Sequence, residues 1–152
     1  MDDIAFRRAT EADIAAIVAM LADDPLGAVR EDASTLAAPA YLAAFRAIDA
    51  DPNQVLAVMT EGGRVVGTLQ LIFIAGLSRK GALRGQIEAV RVAAGRRGEG
   101  LGQRLFEWAI AECRARGCRT VQLTTDRSRA DAHRFYDRLG FEASHIGYKL
   151  AL

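Results

Sequence analysis

The chain has 152 residues, a length that predicts one domain spanning residues 1–152. Hydrophobic residues make up 51% and charged residues 26%, which is typical of a globular protein and excludes a disordered one. The longest apolar stretch, VVGTLQLIFIAGL, is too short to cross a bilayer, and the acidic start MDDIAF does not resemble a secretory signal. We therefore expect a cytoplasmic protein with no membrane partner.

The net charge of +1 conceals an asymmetry between the two halves of the chain. Residues 1–75 carry eleven Asp or Glu against five Arg or Lys, whereas residues 76–152 carry eight against fifteen. A basic half suits an anionic ligand, although charges that merely solvate separate faces are the simpler interpretation. Cys113 and Cys118 do not have the spacing of zinc ligands, so we expect two free thiols and no metal.

The first half of the chain predicts a strand, two helices and a hairpin. IAFRRAT reads as a strand, and Thr10 with Asp13 three residues later resembles a capping box at the start of a helix. A second helix is predicted over about Ala40–Ala50. QVLAVMT and RVVGTLQLIFI are then predicted as strands, because they are rich in β-branched residues and enclose the turn signal EGG.

The second half predicts a strand–helix–strand unit followed by a helix and a last strand. QIEAVRV and TVQLTT flank a helix over about Leu101–Arg116, so these two strands should be parallel. RADAHRFYDRLG is predicted as a helix stopped by Gly140, and FEASHIGYKLAL as one strand or a bent pair. The pattern as a whole predicts a mixed α/β domain.

Four glycines and three arginines are concentrated in GRRGEGLGQRL, between the strand QIEAVRV and the helix. The first N–H groups of a helix are unpaired and carry partial positive charge, and glycines let an anion come close to them. We therefore interpret this stretch as a phosphate cradle; a flexible loop is the alternative. It is not a P-loop, which needs Gly-Lys after the glycines, and it lacks the spacing of a dinucleotide-binding fingerprint.

VRVAAGRRGEGLGQRLFEWA resembles the acetyl-CoA-binding motif of the GNAT superfamily of N-acetyltransferases. The core of that motif, Arg/Gln-x-x-Gly-x-Gly/Ala, is met by Arg97, Gly100 and Gly102. DAHRFYDRLGF resembles a second motif of the same family, which is matched by Ala132, Phe135, Tyr136, Gly140 and Phe141. The order of elements fits the family over nearly the whole chain. The resemblance implies a single domain with a mixed, mostly antiparallel sheet, one splayed parallel strand pair and about four flanking helices.

The resemblance also implies an acetyl-CoA site. The backbone N–H groups of the cradle would hold the diphosphate, and the pantetheine arm would lie along the strand at Val90 and Val92. One position departs from the family pattern, because Arg129 stands where the family often has Asn. The expected residues for the acyl donor are therefore Val90, Val92, Arg97, Gly98, Gly100, Leu101, Gly102, Gln103 and Arg129.

Acetyl transfer to an amine requires a neutral amine and a protonated leaving thiolate, since an alkylamine has a pKa of about 10.4 and a thiol of about 8.5. Glu88 is the candidate base, acting through water, where the family often carries a glutamate; the alternative is a polar residue on the outer face of a strand. Tyr136 is the candidate acid, matching the family tyrosine that reaches the sulfur; the alternative is a packing role.

The sequence therefore predicts an N-acetyltransferase that moves an acetyl group directly from acetyl-CoA to a primary amine in a ternary complex. A non-catalytic acyl-CoA sensor is the alternative, since it would need the cradle but neither Glu88 nor Tyr136. The acceptor is expected to be a small molecule, and the acidic residues from Asp23 to Asp32 raise the hypothesis that it is cationic. No nucleic-acid partner is expected, because the basic half lacks interleaved aromatic residues. Family habit suggests a homodimer.

Overall fold

The computed structural model describes residues 3–32 and 39–152. Its centre is a five-stranded sheet in the order β1-β2-β3-β4-β5. Every neighbouring pair is antiparallel except β4 and β5, which are parallel. This is the mixed, mostly antiparallel sheet that the family resemblance implies. The strands are β1 (Ile4–Arg8), β2 (Gln54–Glu61), β3 (Arg64–Ile74), β4 (Arg84–Val92) and β5 (Thr120–Gln122).

Four helices of nine or more residues lie among the described residues, in line with the expected number, together with two single turns that the sequence did not predict. The long helices are α1 (Ile14–Ala22), α3 (Pro39–Ala50), α5 (Leu101–Ala115) and α6 (Ala130–Arg138). The single turns are α2 (Gly27–Arg30) and α4 (Ser78–Gly81). In α4, Arg79 and Lys80 have left-handed backbone angles, so this segment is a turn joining β3 to β4.

An ion pair between the buried Asp13 and the exposed Arg7 fixes the entry into α1. The Asp13 carboxylate accepts hydrogen bonds from the Thr10 N–H at 2.7 Å and from Arg7 at 2.7 and 3.0 Å. The predicted capping box is therefore present, at the start of a short 3-10 helix, Glu11–Asp13, that leads into α1. The bond from Arg7 is the main cause of a lowered pKa at Asp13, and it outweighs the effect of burial, which would raise that pKa.

The larger part of the core lies between the sheet and α5, and a second cluster lies where α1 and α3 pack against β2. Leu101, Leu105, Ala109 and Cys113 are buried along one side of α5, as predicted. Trp108, expected on the buried side, is half-buried and stacks on Phe6 of β1 with 5.4 Å between the ring centroids. Cys113 and Cys118 are free thiols, as expected. This helix therefore fixes the cradle residues at its start relative to β4, on which its buried face packs.

The two parallel strands stay together for only three residues. Their register joins Arg84 to Thr120 and Gln86 to Gln122, and the pairing ends there, although β4 continues to Val92. The chain beyond Gln122, predicted to be strand as far as Thr125, is not part of the sheet. We call this divergence of β4 and β5 the fork. It is the splayed pair that the family resemblance implies.

The predicted last strand is absent. Residues 141–152 form no strand, although the alternation of apolar and polar residues in FEASHIGYKLAL predicted one or a bent pair. The helix before it ends as expected, with Gly140 in a left-handed conformation at φ 90°. The prediction was wrong because a periodic pattern reports that a strand can form, whereas hydrogen bonds require a partner strand, and no described segment pairs with this one. Within residues 3–32 and 39–152, no helix is long and apolar enough to cross a membrane.

Candidate active site

A row of unpaired main-chain amides marks the start of α5. In the part of the chain that the structure describes, none of the six N–H groups from Gly98 to Gln103 donates to a main-chain carbonyl, and the first internal bond of the helix is donated by Arg104 to Gly100. Gly98 and Gly100 have φ values of 82° and 77°, in the left-handed region that favours glycine. These two residues turn the backbone so that successive N–H groups precede the helix and extend its positive end.

These amides border a cleft of about 480 Å³ between the cradle and α6. Its floor is apolar, since Leu101 of α5 and Phe135 and Leu139 of α6 contribute to it. The cleft unites seven of the residues predicted for the acyl donor: Val92, Arg97, Gly98, Gly100, Leu101, Gly102 and Gln103. Arg138 also lines it and was not predicted; its position in the last turn of α6, facing α5, could not be read from either motif.

Two of the three arginines of the cradle, Arg96 and Arg97, are engaged in ion pairs with other residues. Arg96 binds Glu61 of the β2–β3 hairpin and Glu99 of the cradle. These bonds raise the pKa of Arg96, and the bond from Arg96 is the main cause of a lowered pKa at Glu61. Arg97 donates to the Asp23 carbonyl oxygen at 2.9 Å, at the end of α1. Both arginines therefore hold the cradle against other elements, and the ligand-binding groups that remain are mainly backbone amides.

The fork exposes one edge of β4 beside this cleft. Beyond Gln86, β4 continues to pair with β3 on one side, whereas no strand among the described residues pairs with its other side. Ala89 lies within this stretch with φ at 51°, and the register with β3 shifts between Thr68 and Gln70 opposite it. A non-glycine residue in the left-handed region stores strain of about 1–2 kcal/mol. This bulge redirects the main chain at the residue that follows Glu88.

A chain of amide side chains leads to Glu88. Gln122 of β5 donates to the buried Gln86 of β4 at 2.7 Å, and Gln86 donates to the Glu88 carboxylate at 3.2 Å. Glu88 itself is exposed, so a proton that it accepts can be passed to water. The structure thus places Glu88 at the fork, on the open part of β4, with its carboxylate held by a neighbouring side chain.

Tyr136 belongs to an aromatic cluster at the base of α6. Its ring meets those of Phe106, Phe135 and Phe141 edge-on, with centroid distances of 5.6 to 6.3 Å. Phe135 and Tyr136 are both half-buried, and the rings of both contact Phe106. No side chain among the described residues forms a hydrogen bond with the Tyr136 hydroxyl. The ring is therefore held rigidly while its hydroxyl has no protein partner in the described part of the chain.

Some predicted site residues lie outside the cleft. Glu88, Val90 and Tyr136 do not line it, and Arg129 borders a separate, shallow depression at the start of α6. Arg129 lies close enough to Asp126 and Asp24 for its charge to lower the pKa of both carboxyl groups. The described residues contain no group of His, Cys, Asp or Glu that could hold a metal ion.

The acidic residues after α1 are paired. Asp24 lies 3.1 Å from Arg91 of β4, and both side chains are more than four-fifths buried. Burial alone would raise the pKa of Asp24, but the hydrogen bond from the Gly27 N–H and the charge of Arg91 outweigh it, so the pKa is lowered. Glu31 accepts a hydrogen bond from the Tyr41 hydroxyl at 2.8 Å. This segment therefore offers much less free negative charge than its composition predicts.

Comparison with known proteins identifies the family. The sequence profile of the acetyltransferase (GNAT) family matches residues 16–141. The chain belongs to this family. The chain is 34% identical over 113 residues to the aminoalkylphosphonate N-acetyltransferase of Salmonella typhimurium, an alignment that covers 74% of this chain and 73% of the relative. The protein is thus an acetyl-CoA-dependent N-acetyltransferase of the GNAT family, as the two sequence motifs predicted.

Solved structures share this GNAT fold over nearly the whole chain. A protein from Bacillus halodurans C-125, described as a transcriptional regulator, superposes with a TM-score of 0.94 at 44% identity and covers 98% of this chain and 99% of its own. An acetyltransferase of Trypanosoma brucei gives a TM-score of 0.73 at 28% identity and covers 99% of this chain and all of its own. These similarities extend across the cradle, the fork and α6.

Proposed function

We propose that this GNAT enzyme transfers an acetyl group directly from acetyl-CoA to the primary amine of a small acceptor, with both substrates bound at once. The observation that carries the proposal is the fork of β4 and β5, which opens beside the row of unpaired amides from Gly98 to Gln103. The amides suit a diphosphate, and the free edge of β4 suits the amide groups of a pantetheine arm. The thioester would then lie near the bulge at Ala89.

In this proposal the side chains at the fork move the protons. The nitrogen of the neutral amine attacks the thioester carbonyl carbon, the carbon–sulfur bond breaks, and the thiolate leaves. Glu88 takes the proton of the amine through water, and the Tyr136 hydroxyl gives its proton to the departing sulfur. Val90 and Val92 hold the pantetheine arm, and Arg129 contacts the acyl donor near the start of α6. Cys113 takes no part, because burial, and then the neighbouring Cys118, raise its pKa to about 12.

The acceptor in this proposal carries an acidic group beside its amine. The earlier hypothesis of a cationic acceptor depends on free carboxylates, and two of these, Asp23 and Asp24, are paired with arginines. The positive charges of Arg30 and Arg129 lower the pKa of Asp126. Those of Arg91 and Arg129 lower the pKa of Asp24. Three arginines therefore surround two carboxylates, and cations outnumber anions in this group of residues. The Salmonella relative acts on aminoalkylphosphonates, molecules that combine an amine with an anion. An acceptor of this class would offer its anion to the arginines and its amine to the thioester.

The decisive experiment measures thiol release from acetyl-CoA with a matched panel of amines. We expect turnover with 2-aminoethylphosphonate, little with ethylamine, which lacks the anion, and little with a diamine. Increasing salt should raise KM for the phosphonate, since screening weakens its attraction to the arginines. Preference for the diamine would refute the anionic acceptor. Tight binding of acetyl-CoA with no turnover on any amine would favour the sensor.

Two substitutions test the proton-transfer roles against matched controls. Tyr136→Phe and Glu88→Gln should each lower kcat about 100-fold, because a positioned acid or base contributes about 10² to 10⁴. Tyr148→Phe and Glu142→Gln make the same chemical changes at exposed residues and should leave kcat unchanged. Equal activity of Tyr136→Phe and the parent enzyme would remove Tyr136 from the mechanism.

A further inference from the structure

We propose that Cys113 and Cys118 form a redox pair, in which hydrogen peroxide oxidises the Cys118 sulfur and the Cys113 sulfur then closes a reversible disulfide with it. They are the only two cysteines in the sequence, and both are free thiols in the structure. They lie at the end of α5 opposite the cradle, where the chain turns from the helix towards β5. The steps of acetyl transfer proposed above involve neither sulfur, so the redox pair is independent of them.

The turn that ends α5 brings the two cysteines together. The Cys118 N–H donates to the Cys113 carbonyl oxygen at 2.9 Å, and the Gly117 N–H donates to that of Arg114 at 3.0 Å. Gly117 itself is left-handed, with φ at 81°. These two bonds with a left-handed glycine make up the Schellman motif, in which the side chains of the first and last bonded residues are commonly in contact. A disulfide needs Cα atoms about 4.4–6.8 Å apart, and the main-chain bond between the two cysteines keeps their Cα atoms close.

The two sulfur atoms face the same point of β4. Gly85 has no side chain, and a Cβ added there would overlap the Sγ of Cys113 and lie 3.8 Å from the Sγ of Cys118. The Cys113 sulfur therefore occupies the space that a side chain at Gly85 would fill, on the side where Cys118 lies. The two thiols are also hydrogen-bonding partners. The folded chain thus holds the sulfurs next to each other before any oxidant arrives.

The two thiols differ in exposure, which assigns their roles. Cys118 is half-buried, whereas Cys113 is fully buried and its pKa is raised to about 12, first by burial. Peroxides react with thiolates that they can reach, so Cys118 is oxidised first and Cys113 is not attacked. A sulfenic acid beside a second thiol condenses with it to a disulfide. Cys113 is therefore the resolving thiol of the pair.

The reaction takes place in two steps. The Cys118 thiolate attacks one oxygen of hydrogen peroxide, so that a sulfur–oxygen bond forms, the oxygen–oxygen bond breaks, and the hydroxide that leaves is protonated to water. The Cys113 sulfur then attacks the Cys118 sulfur, the disulfide forms, the sulfur–oxygen bond breaks, and the departing hydroxide leaves as water with the proton of Cys113. The two sulfurs together lose two electrons, which the peroxide gains. The disulfide links the last turn of α5 to the entry of β5, one arm of the fork, and dithiothreitol reverses it by thiol–disulfide exchange.

Peptide mass spectrometry after treatment with hydrogen peroxide tests the redox pair. Trypsin cleaves after Arg114 and Arg116, between the two cysteines, so the disulfide appears as two linked peptides that dithiothreitol separates. Cys113→Ala should instead form sulfinic or sulfonic acid at Cys118, which dithiothreitol does not reverse, because the sulfenic acid has no partner. Cys118→Ala should keep a reduced Cys113, since that thiol is buried. Sulfinic acid at Cys118 of the parent chain, or a parent chain whose cysteines stay reduced, overturns the proposal.

The equilibrium with glutathione shows whether the fold favours the disulfide or whether the cysteines are merely close in sequence. The parent chain is equilibrated with mixtures of reduced and oxidised glutathione, once in native buffer and once in urea. Because the folded turn holds the sulfurs in contact, the disulfide should be favoured about tenfold more in native buffer than in urea. Equal equilibrium constants, or a smaller one in native buffer, would contradict a pair that is built into the fold.

Discussion

Substituting Gly102 by alanine should raise stability and leave cofactor affinity unchanged, because the family motif accepts either Gly or Ala at this position. Gly102 lies in the first turn of α5 and lines the cleft, and an added Cβ would lie 3.8 Å from Cζ of Phe135, which is ordinary van der Waals contact. The free enzyme therefore accommodates the methyl group. Alanine is favoured over glycine within a helix by up to about 1 kcal/mol, which corresponds to a rise in Tm of about 2–4 °C.

A larger side chain at the same position, as in Gly102→Leu, enters the space that a diphosphate needs in order to reach the amides from Gly98 to Gln103. Losing one hydrogen bond to a charged group costs about 1.5–3 kcal/mol, so Kd for acetyl-CoA should rise about 10- to 150-fold. Isothermal titration calorimetry measures this Kd, and differential scanning calorimetry measures Tm. Ala111→Gly, at an exposed site on the same helix, is the control and should lower Tm without changing Kd. An unchanged Kd for Gly102→Leu would show that the diphosphate binds elsewhere.

Three further predictions concern groups that are held by their neighbours. Gln86→Met removes the donor to the Glu88 carboxylate and should lower kcat about tenfold while KM for acetyl-CoA is unchanged, as steady-state kinetics would show; an unaltered kcat would contradict a positioning role. Asp13→Asn should destabilise the fold by about 1–3 kcal/mol, because it weakens a buried, charge-assisted network. The pKa of Asp13 is lowered in the folded state, so its carboxylate contributes stability above the unfolded pKa of about 4 and loses that contribution as the pH falls further. Urea titrations below about pH 4 should therefore give free energies of unfolding for the variant and the parent that converge. Cys113, buried and with its pKa raised to about 12, should resist alkylation at pH 8 in the folded enzyme while the partly exposed Cys118 reacts, as mass spectrometry would detect; rapid labelling of Cys113 would indicate local opening.

Structural features that depend on residues close together in the chain, such as turns and helix ends, could be predicted from the sequence. Thr10 and Asp13 form the predicted capping box, and β3 has the predicted bounds, because these features depend on residues close together in the chain. The cradle followed from the glycines for the same reason, since left-handed backbone at Gly98 and Gly100 is a local property.

Features that depend on residues far apart in the chain could not be predicted from the sequence. Arg97 reaches Asp23, 74 positions away, and Arg96 reaches Glu61, so the charges of the cradle and of the acidic segment could not be counted as free or paired from composition. The strand predicted in residues 141–152 is absent for a similar reason, because a strand forms only where the edge of another strand lies beside it. Arg138 was missed since its place in the cleft depends on how α6 packs near α5.

The open fork makes the stability of this protein depend on the concentration of its cosubstrate, acetyl-CoA. Among the described residues, main-chain groups along the outer edge of β4 and at the start of α5 have no main-chain hydrogen-bond partner in the protein. The folded chain by itself therefore leaves hydrogen bonds that a ligand can complete. A ligand that completes these hydrogen bonds adds stability in proportion to the logarithm of its concentration, about 2.7 kcal/mol at one hundred times Kd. The lifetime of the enzyme in a cell should therefore lengthen when acetyl-CoA is abundant and shorten when it is scarce.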